Sequence, residues 1–141
     1  MANFAPVQPD SATGKAAELL AQVQKSVGQT PNMTKVMANS PALLNSWLAL
    51  SGAVAGGTLP AAVRERLAVS TAQLNGCEYC LSAHTYIGAN LAKVDPAELD
   101  SARKGQSNDP HMQALLKLSN DIAETLATST TPTSRPPARQ G

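Results

Sequence analysis

Residues 60–91 read PAAVRERLAVSTAQLNGCEYCLSAHTYIGANL, and this stretch decides the fold. Pro60 can open a helix, because a proline in the first turn withholds an N–H that would have no intrahelical partner anyway. Beyond it Val63, Leu67, Val69, Ala72 and Leu74 supply the apolar members of a helix that runs to about Leu74. Asn75-Gly76 is a turn signal. Asn75 is followed three residues later by Glu78, a variant of the capping box, so the spacing predicts a second helix starting here. That helix passes through Cys77, Cys80, His84 and Ile87 and ends near Leu91. A connection this short makes the two helices antiparallel neighbours.

The second helix carries the chemistry. Offsets of three and four residues lie on one helical face, so Cys77, Cys80 and His84 form a single stripe. Cys80 and His84, four apart, can touch. Cys77 and His84 are seven apart, roughly 10 Å along the axis, and cannot. A thiolate rather than a thiol attacks a peroxide or a disulfide, and a free cysteine with a pKa of about 8.5 is only slightly ionised at neutral pH. A neighbouring imidazole can take the proton or stabilise the thiolate. Cys77 lies nearer the helix N-terminus, which also favours an anion, and is the nucleophile by analogy with thioredoxin. Cys80 is the preferred nucleophile here because the base stands beside it. Cys77 is then the resolving thiol, close enough to complete a disulfide.

Glu65 joins the group by counting. It lies ten residues before the turn and His84 eight after it, so at about 1.5 Å per residue both stand at similar height. A carboxylate at that place can orient the imidazole as the acid of a triad does.

Outward from this hairpin the rest of the chain also reads as helical. Residues 1–10 are an extended lead-in. A helix from about Ser11 to Val27, with Ala17, Leu20, Ala21, Val23 and Val27 on its apolar stripe, stops at Gly28. Pro31 opens a short helix within residues 31–40. Ser40 and Pro41 read as N-cap and first turn of a third, which carries Leu43, Leu44, Trp47, Leu48 and Leu50. Residues 56–59 are a loop. After the central hairpin, Asp95-Pro96 opens a short helix that ends by Gly105. Asp109-Pro110 opens a last one with Leu115, Leu116, Leu118, Ile122 and Leu126. Residues 128–141, TSTTPTSRPPARQG, have no apolar periodicity and read as a disordered tail. The organisation expected is thus one helical domain over residues 11–127 between a lead and a tail.

Composition excludes several classes. The 141 residues include 43% hydrophobic and 15% charged residues, with a net charge of +1. No basic stripe marks a nucleic-acid surface. No apolar run is long enough to span a bilayer, and the N-terminus shows no signal-peptide pattern, so a cytoplasmic location is expected. In that reducing compartment two cysteines are poor candidates for a purely structural disulfide. Much of the apolar content is alanine, and the aromatics are only Phe4, Trp47, Tyr79 and Tyr86. A core so light in large side chains would gain from homo-oligomerisation.

Each of these residues also has a plainer reading. Cys77 and Cys80 could be small buried hydrophobes. Two cysteines, His84 and a carboxylate could hold zinc, although structural zinc sites commonly draw a second ligand pair from elsewhere in the chain. His111, beside Asp109-Pro110, reads as a surface residue. Arg64, Glu65 and Arg66 could be an ordinary solvated face. Tyr79 and Tyr86 read as packing residues or as walls of a substrate approach, and Trp47 as core.

Glu65, eleven residues, Cys77-x-x-Cys80, three residues and His84 together resemble the alkyl hydroperoxidase D-like, peroxidase-related branch of the carboxymuconolactone decarboxylase family. The likeness covers about residues 13–125 and is strongest at 60–91, with ERLAVSTAQLNGCEYCLSAHT at its centre. It implies an all-α fold, an orthogonal or antiparallel helical bundle, and an oligomer. It also implies a hydroperoxide reductase with Cys80 as peroxidatic cysteine, Cys77 as resolving cysteine, and Glu65 with His84 as proton relay. No bound cofactor or metal is implied. The reductant is a lipoyl-type dithiol carried by a partner protein, and nucleic acid and membranes play no part. True decarboxylases of the superfamily lack the cysteine pair, which favours the redox branch. Well-studied members carry histidine just before the second cysteine, where this chain has Tyr79. They also continue past the seventh helix, so the likeness implies a truncated C-terminus here, and with it the alternative of a non-enzymatic redox-sensing or assembly module.

Overall fold

The computed structural model describes residues 4–129. Among them seven α-helices and one 3-10 turn account for all the regular structure, so the all-α expectation holds. The helices are α1 (Gly14–Val27), α2 (Asn32–Met37), α3 (Pro41–Ala55), α4 (Ala61–Leu74), α5 (Glu78–Asn90), α6 (Pro96–Arg103) and α7 (Pro110–Ser129). The expected tail at 128–141 lies outside the described residues, apart from Thr128 and Ser129, which complete α7.

The boundaries follow local chemistry. The 3-10 turn Pro9–Ser11 precedes α1, which begins at Gly14 rather than Ser11. Gly28 ends α1 with φ of 81°, a left-handed conformation that glycine adopts without the strain a Cβ brings. Ser40 caps α3 by accepting the Leu43 N–H, and Asp95 caps α6 by accepting the Ala97 N–H. Asp109 Oδ1 accepts the N–H of the exposed His111 at the start of α7.

Within residues 11–127 the chain forms two compact units, divided between Gly57 and Thr58 in the loop read at 56–59. The first holds α1, α2 and α3 around buried Leu19, Leu20, Val23, Ala38 and Leu44. Trp47 is half-buried against this core. The lead-in is tied to it by two bonds: Val7 N–H donates to the Lys35 carbonyl and Asn39 Nδ2 donates to the Ala5 carbonyl. Two details of the sequence reading need correction. Leu19 and Ala16, not Ala17 and Ala21, complete the inward stripe of α1, and Ala21 is exposed. On α3 only Leu44 is fully buried, while Leu43 and Leu50 face outward. Ala16, Ala17 and Ala21 lie on adjoining sides of α1, so alanine spacing alone does not define its phase.

The second unit holds α4 to α7. Val69, Ala72, Leu81, Val94, Leu99, Ala102, Met112 and Leu116 form its core, with Val63, Leu67 and Cys80 packed at its edge. Here α4 is the central element, in contact with α5, α6 and α7. Its side toward α7 is partly polar: the buried Ser70 hydroxyl donates to Asn120 Oδ1 at 3.0 Å, and Thr71 Oγ1 lies 3.5 Å from Ser119 Oγ. Leu118 and Ile122, expected in the core, are exposed, and Leu74 is also largely open. The seam uses hydrogen bonds where leucine content suggested apolar contact. Among the described residues no buried side-chain nitrogen or oxygen lacks a partner. No helix among them is long and apolar enough to cross a membrane.

Candidate active site

The reversal between α4 and α5 differs in one detail from its reading in the sequence. Asn75 is not a cap for α5. It ends α4, its N–H bonded to the Thr71 carbonyl, and Gly76 follows with φ of 62°. The left-handed step at Gly76 turns the chain, and Cys77 N–H then donates to the Ala72 carbonyl. Cys77 itself becomes the N-cap of α5, its Sγ accepting the Cys80 N–H at 3.3 Å. The helix therefore starts at Glu78, with one cysteine at its cap and the other in its first turn. That placement puts both sulfurs where the unpaired N–H groups of a helix N-terminus favour negative charge.

Cys77 and Cys80 are joined as a disulfide, with Cα atoms 5.3 Å apart. Both residues are partly exposed, and Cys80 leans on the apolar core. His84 follows Cys80 by four residues on the same helix, hence on the same face.

The α4–α5 packing brings Glu65 to His84. Glu65 Oε2 and His84 Nδ1 are 2.8 Å apart, with Glu65 the more buried of the two. An ionised carboxylate has no proton to give, so Nδ1–H is the donor, and a neutral ring then keeps its free lone pair on Nε2. The bond fixes both the ring and the tautomer that can accept a proton. Burial of Glu65 adds to this, because a hydrogen bond screened from water holds its geometry better.

The three consecutive charges of α4 are not an undifferentiated solvated face. Arg64 Nη1 donates to the Leu59 carbonyl at the head of the helix. Glu65 turns to α5. Arg66 reaches α6, where Nη1 lies 3.1 Å from Glu98 Oε2, and Ser107 Oγ donates to the same carboxylate oxygen. These bonds fix the rotation of α4 about its axis and so the direction in which Glu65 points. Among the described residues no group of three or more His, Cys, Asp or Glu side chains is arranged to hold a metal ion.

Three contributors went unread in the sequence. Arg66 looked like surface, and nothing local pointed to Glu98, which is 32 residues away. Gly88 left a visible signal, a glycine inside an otherwise regular helix. It is buried, facing Glu65 and Leu99. A cleft of about 590 Å³ in the first unit, with Gln8, Asp10, Gln24 and Lys35 on its walls, contains no cysteine or histidine. The cysteine pair, His84 and Glu65 all lie on the α4–α5 hairpin.

Comparison with known proteins bears on the same segment. The model of the carboxymuconolactone decarboxylase family matches residues 41–116, more than half of the chain. A curated protein of Mycobacterium tuberculosis named alkyl hydroperoxide reductase is 30% identical over 93 residues. The match takes in 65% of this chain but only 27% of that protein, so this chain spans about a quarter of its relative's length.

Proposed function

Because the chain belongs to the carboxymuconolactone decarboxylase family and sets a cysteine pair one helical turn from a carboxylate-held imidazole, we propose that it is a hydroperoxide reductase of the alkyl hydroperoxidase D-like branch. The observation that carries this reading is the 2.8 Å bond between Glu65 and His84 beside Cys80. Buried thiols serving only as packing would have no use for an oriented base at their side.

The reaction begins with the reduced pair. His84 Nε2 takes the Cys80 proton, and the thiolate attacks the terminal oxygen of the hydroperoxide. An S–O bond forms and the O–O bond breaks. The leaving alkoxide takes a proton from the imidazolium and departs as an alcohol, so Cys80 is now a sulfenic acid. Cys77, as thiolate, attacks that sulfur. The S–S bond forms, the S–O bond breaks, and the oxygen leaves as hydroxide, which takes up the equivalent of the proton that Cys77 released to solvent and becomes water. Two electrons have passed from two thiols to one hydroperoxide. A lipoyl-type dithiol, carried by a partner protein, restores the pair by exchange. The resulting disulfide is the state described above.

Its test is to reduce the protein, add one equivalent of hydroperoxide, and weigh the product by mass spectrometry. Loss of two hydrogens, mapped to Cys77–Cys80, is expected. Thiols that remain reduced in folded protein under excess peroxide would overturn the proposal. Reversible oxidation without turnover would favour a redox-sensing module instead.

The working form is proposed to be a homo-oligomer. Leu43, Leu50 and Val54 are exposed on α3, and with half-buried Trp47 they recur at spacings of four, three and four, the seam of a coiled coil. No charged residue occurs in α3, so a second copy of this face meets no like-charge repulsion.

A further inference from the structure

Gly88 stands on α5 four residues beyond His84, on the same face. Its φ lies outside the left-handed region that the other strained glycines occupy, so its backbone does not require glycine. Its surroundings do. A Cβ built there would lie 2.8 Å from Leu99 Cδ2, 3.4 Å from Leu99 Cδ1 and 3.6 Å from Glu65 Cβ. Leu99 is 2% exposed and enclosed by the second unit's core, so it cannot swing aside into solvent. The Gly88 carbonyl is also held, accepting the Val94 N–H at 2.9 Å.

We propose that Gly88 is a positioning residue for the Glu65–His84 pair: by omitting a Cβ it lets α5 seat against Leu99 of α6, and that seating, one turn from His84, holds Nδ1 at the carboxylate. The inference rests on the reading of that pair as the base of Cys80. Relieving the Leu99 contact to an ordinary carbon–carbon separation needs a retreat of about 0.8 Å. A shift of α5 by that amount, one turn from His84, would move Nδ1 off the carboxylate oxygen it meets at 2.8 Å, and a hydrogen bond weakens steeply as its length and angle leave the optimum. The ring would then lose the partner that fixes its tautomer, and the effect would pass through His84 to Cys80.

The test follows alkylation of Cys80 by iodoacetamide against pH in the full-length chain, with Cys77→Ser present so that one thiol reports. Glu65→Gln sets the reference by raising the pH midpoint. Gly88→Ala should raise it as well, slowing alkylation at pH 7 about threefold, the effect of half a pKa unit. Adding Leu99→Ala makes room for the new methyl and should return the midpoint to its starting value, even though the double variant melts earlier. A purely structural glycine would lower the melting temperature and leave the midpoint alone, and that result overturns the proposal. So does a folded double variant whose midpoint stays raised. If Gly88→Ala does not fold, Leu99→Phe presses on the same spot from α6 and should raise the midpoint; an unchanged value there is equally fatal. If Glu65→Gln itself changes nothing, the underlying reading of the pair falls first and takes this inference with it.

Discussion

Cys80 and Cys77 are predicted to differ sharply when each is replaced. Cys80→Ser removes the attacking sulfur and should abolish peroxide consumption. Cys77→Ser leaves the attack intact but removes the resolving step, so one equivalent of peroxide should be consumed and a sulfenic acid, trappable with dimedone, should remain on Cys80. The converse pattern, with one equivalent consumed and the adduct trapped on Cys77 in Cys80→Ser, would mean that the order of the two thiols is wrong. His84→Ala should move the alkylation midpoint of Cys80 upward and slow alkylation at pH 7 up to about tenfold, as loss of one pKa unit of activation would. An unchanged profile would remove His84 from the mechanism. At this scale the sequence was unusually informative. The count of residues on either side of Asn75-Gly76 placed Glu65 level with His84, and the two are bonded. That argument works because an α-helix has a fixed rise and the turn is short. It could not supply Gly88, whose role depends on Leu99, a side chain from a different helix. Nor could it show that Cys77 caps α5, because the competition between Asn75 and Cys77 is decided by the left-handed step at Gly76.

Among the elements, α4 is the one on which the site depends. It is held on one side by the Arg66–Glu98 pair and on another by the Ser70–Asn120 and Thr71–Ser119 contacts. Leu116 of α7 is fully buried in the same core. Leu116→Ala should cost about 2–5 kcal/mol in chemical denaturation, the usual range for a leucine cavity. Leu118→Ala, at an exposed position of the same helix, should change stability by roughly 0.5 kcal/mol or less. Similar losses in the two variants would contradict the packing of α7 described above. Helix starts at Ser40, Asp95 and Asp109 were legible because capping is local chemistry. The inward face of α7 was not. Leucines marked several sides of it, and the face that meets α4 is chosen by Met112, Leu116, Ser119 and Asn120. Polar residues take up part of that contact because each finds a partner across it.

For the molecule as a whole, all-α class and family followed from one 32-residue stretch, since a hairpin of two helices carrying C-x-x-C and histidine is specific. The division of residues 11–127 into two units was not legible, because Gly56-Gly57 reads equally as a loop within a domain. The exposed row on α3 gives the homo-oligomer proposal its test. Leu50→Glu should shift the sedimentation of the protein toward the monomer, and an unaltered oligomer would place the interface elsewhere. The central claim, that the hairpin turns over hydroperoxide, is most directly tested by steady-state peroxide consumption with dihydrolipoamide as the only reductant. The account predicts many equivalents of peroxide reduced per chain and none with Cys80→Ser. Consumption that stops at one equivalent, with the dithiol still in excess, would contradict it.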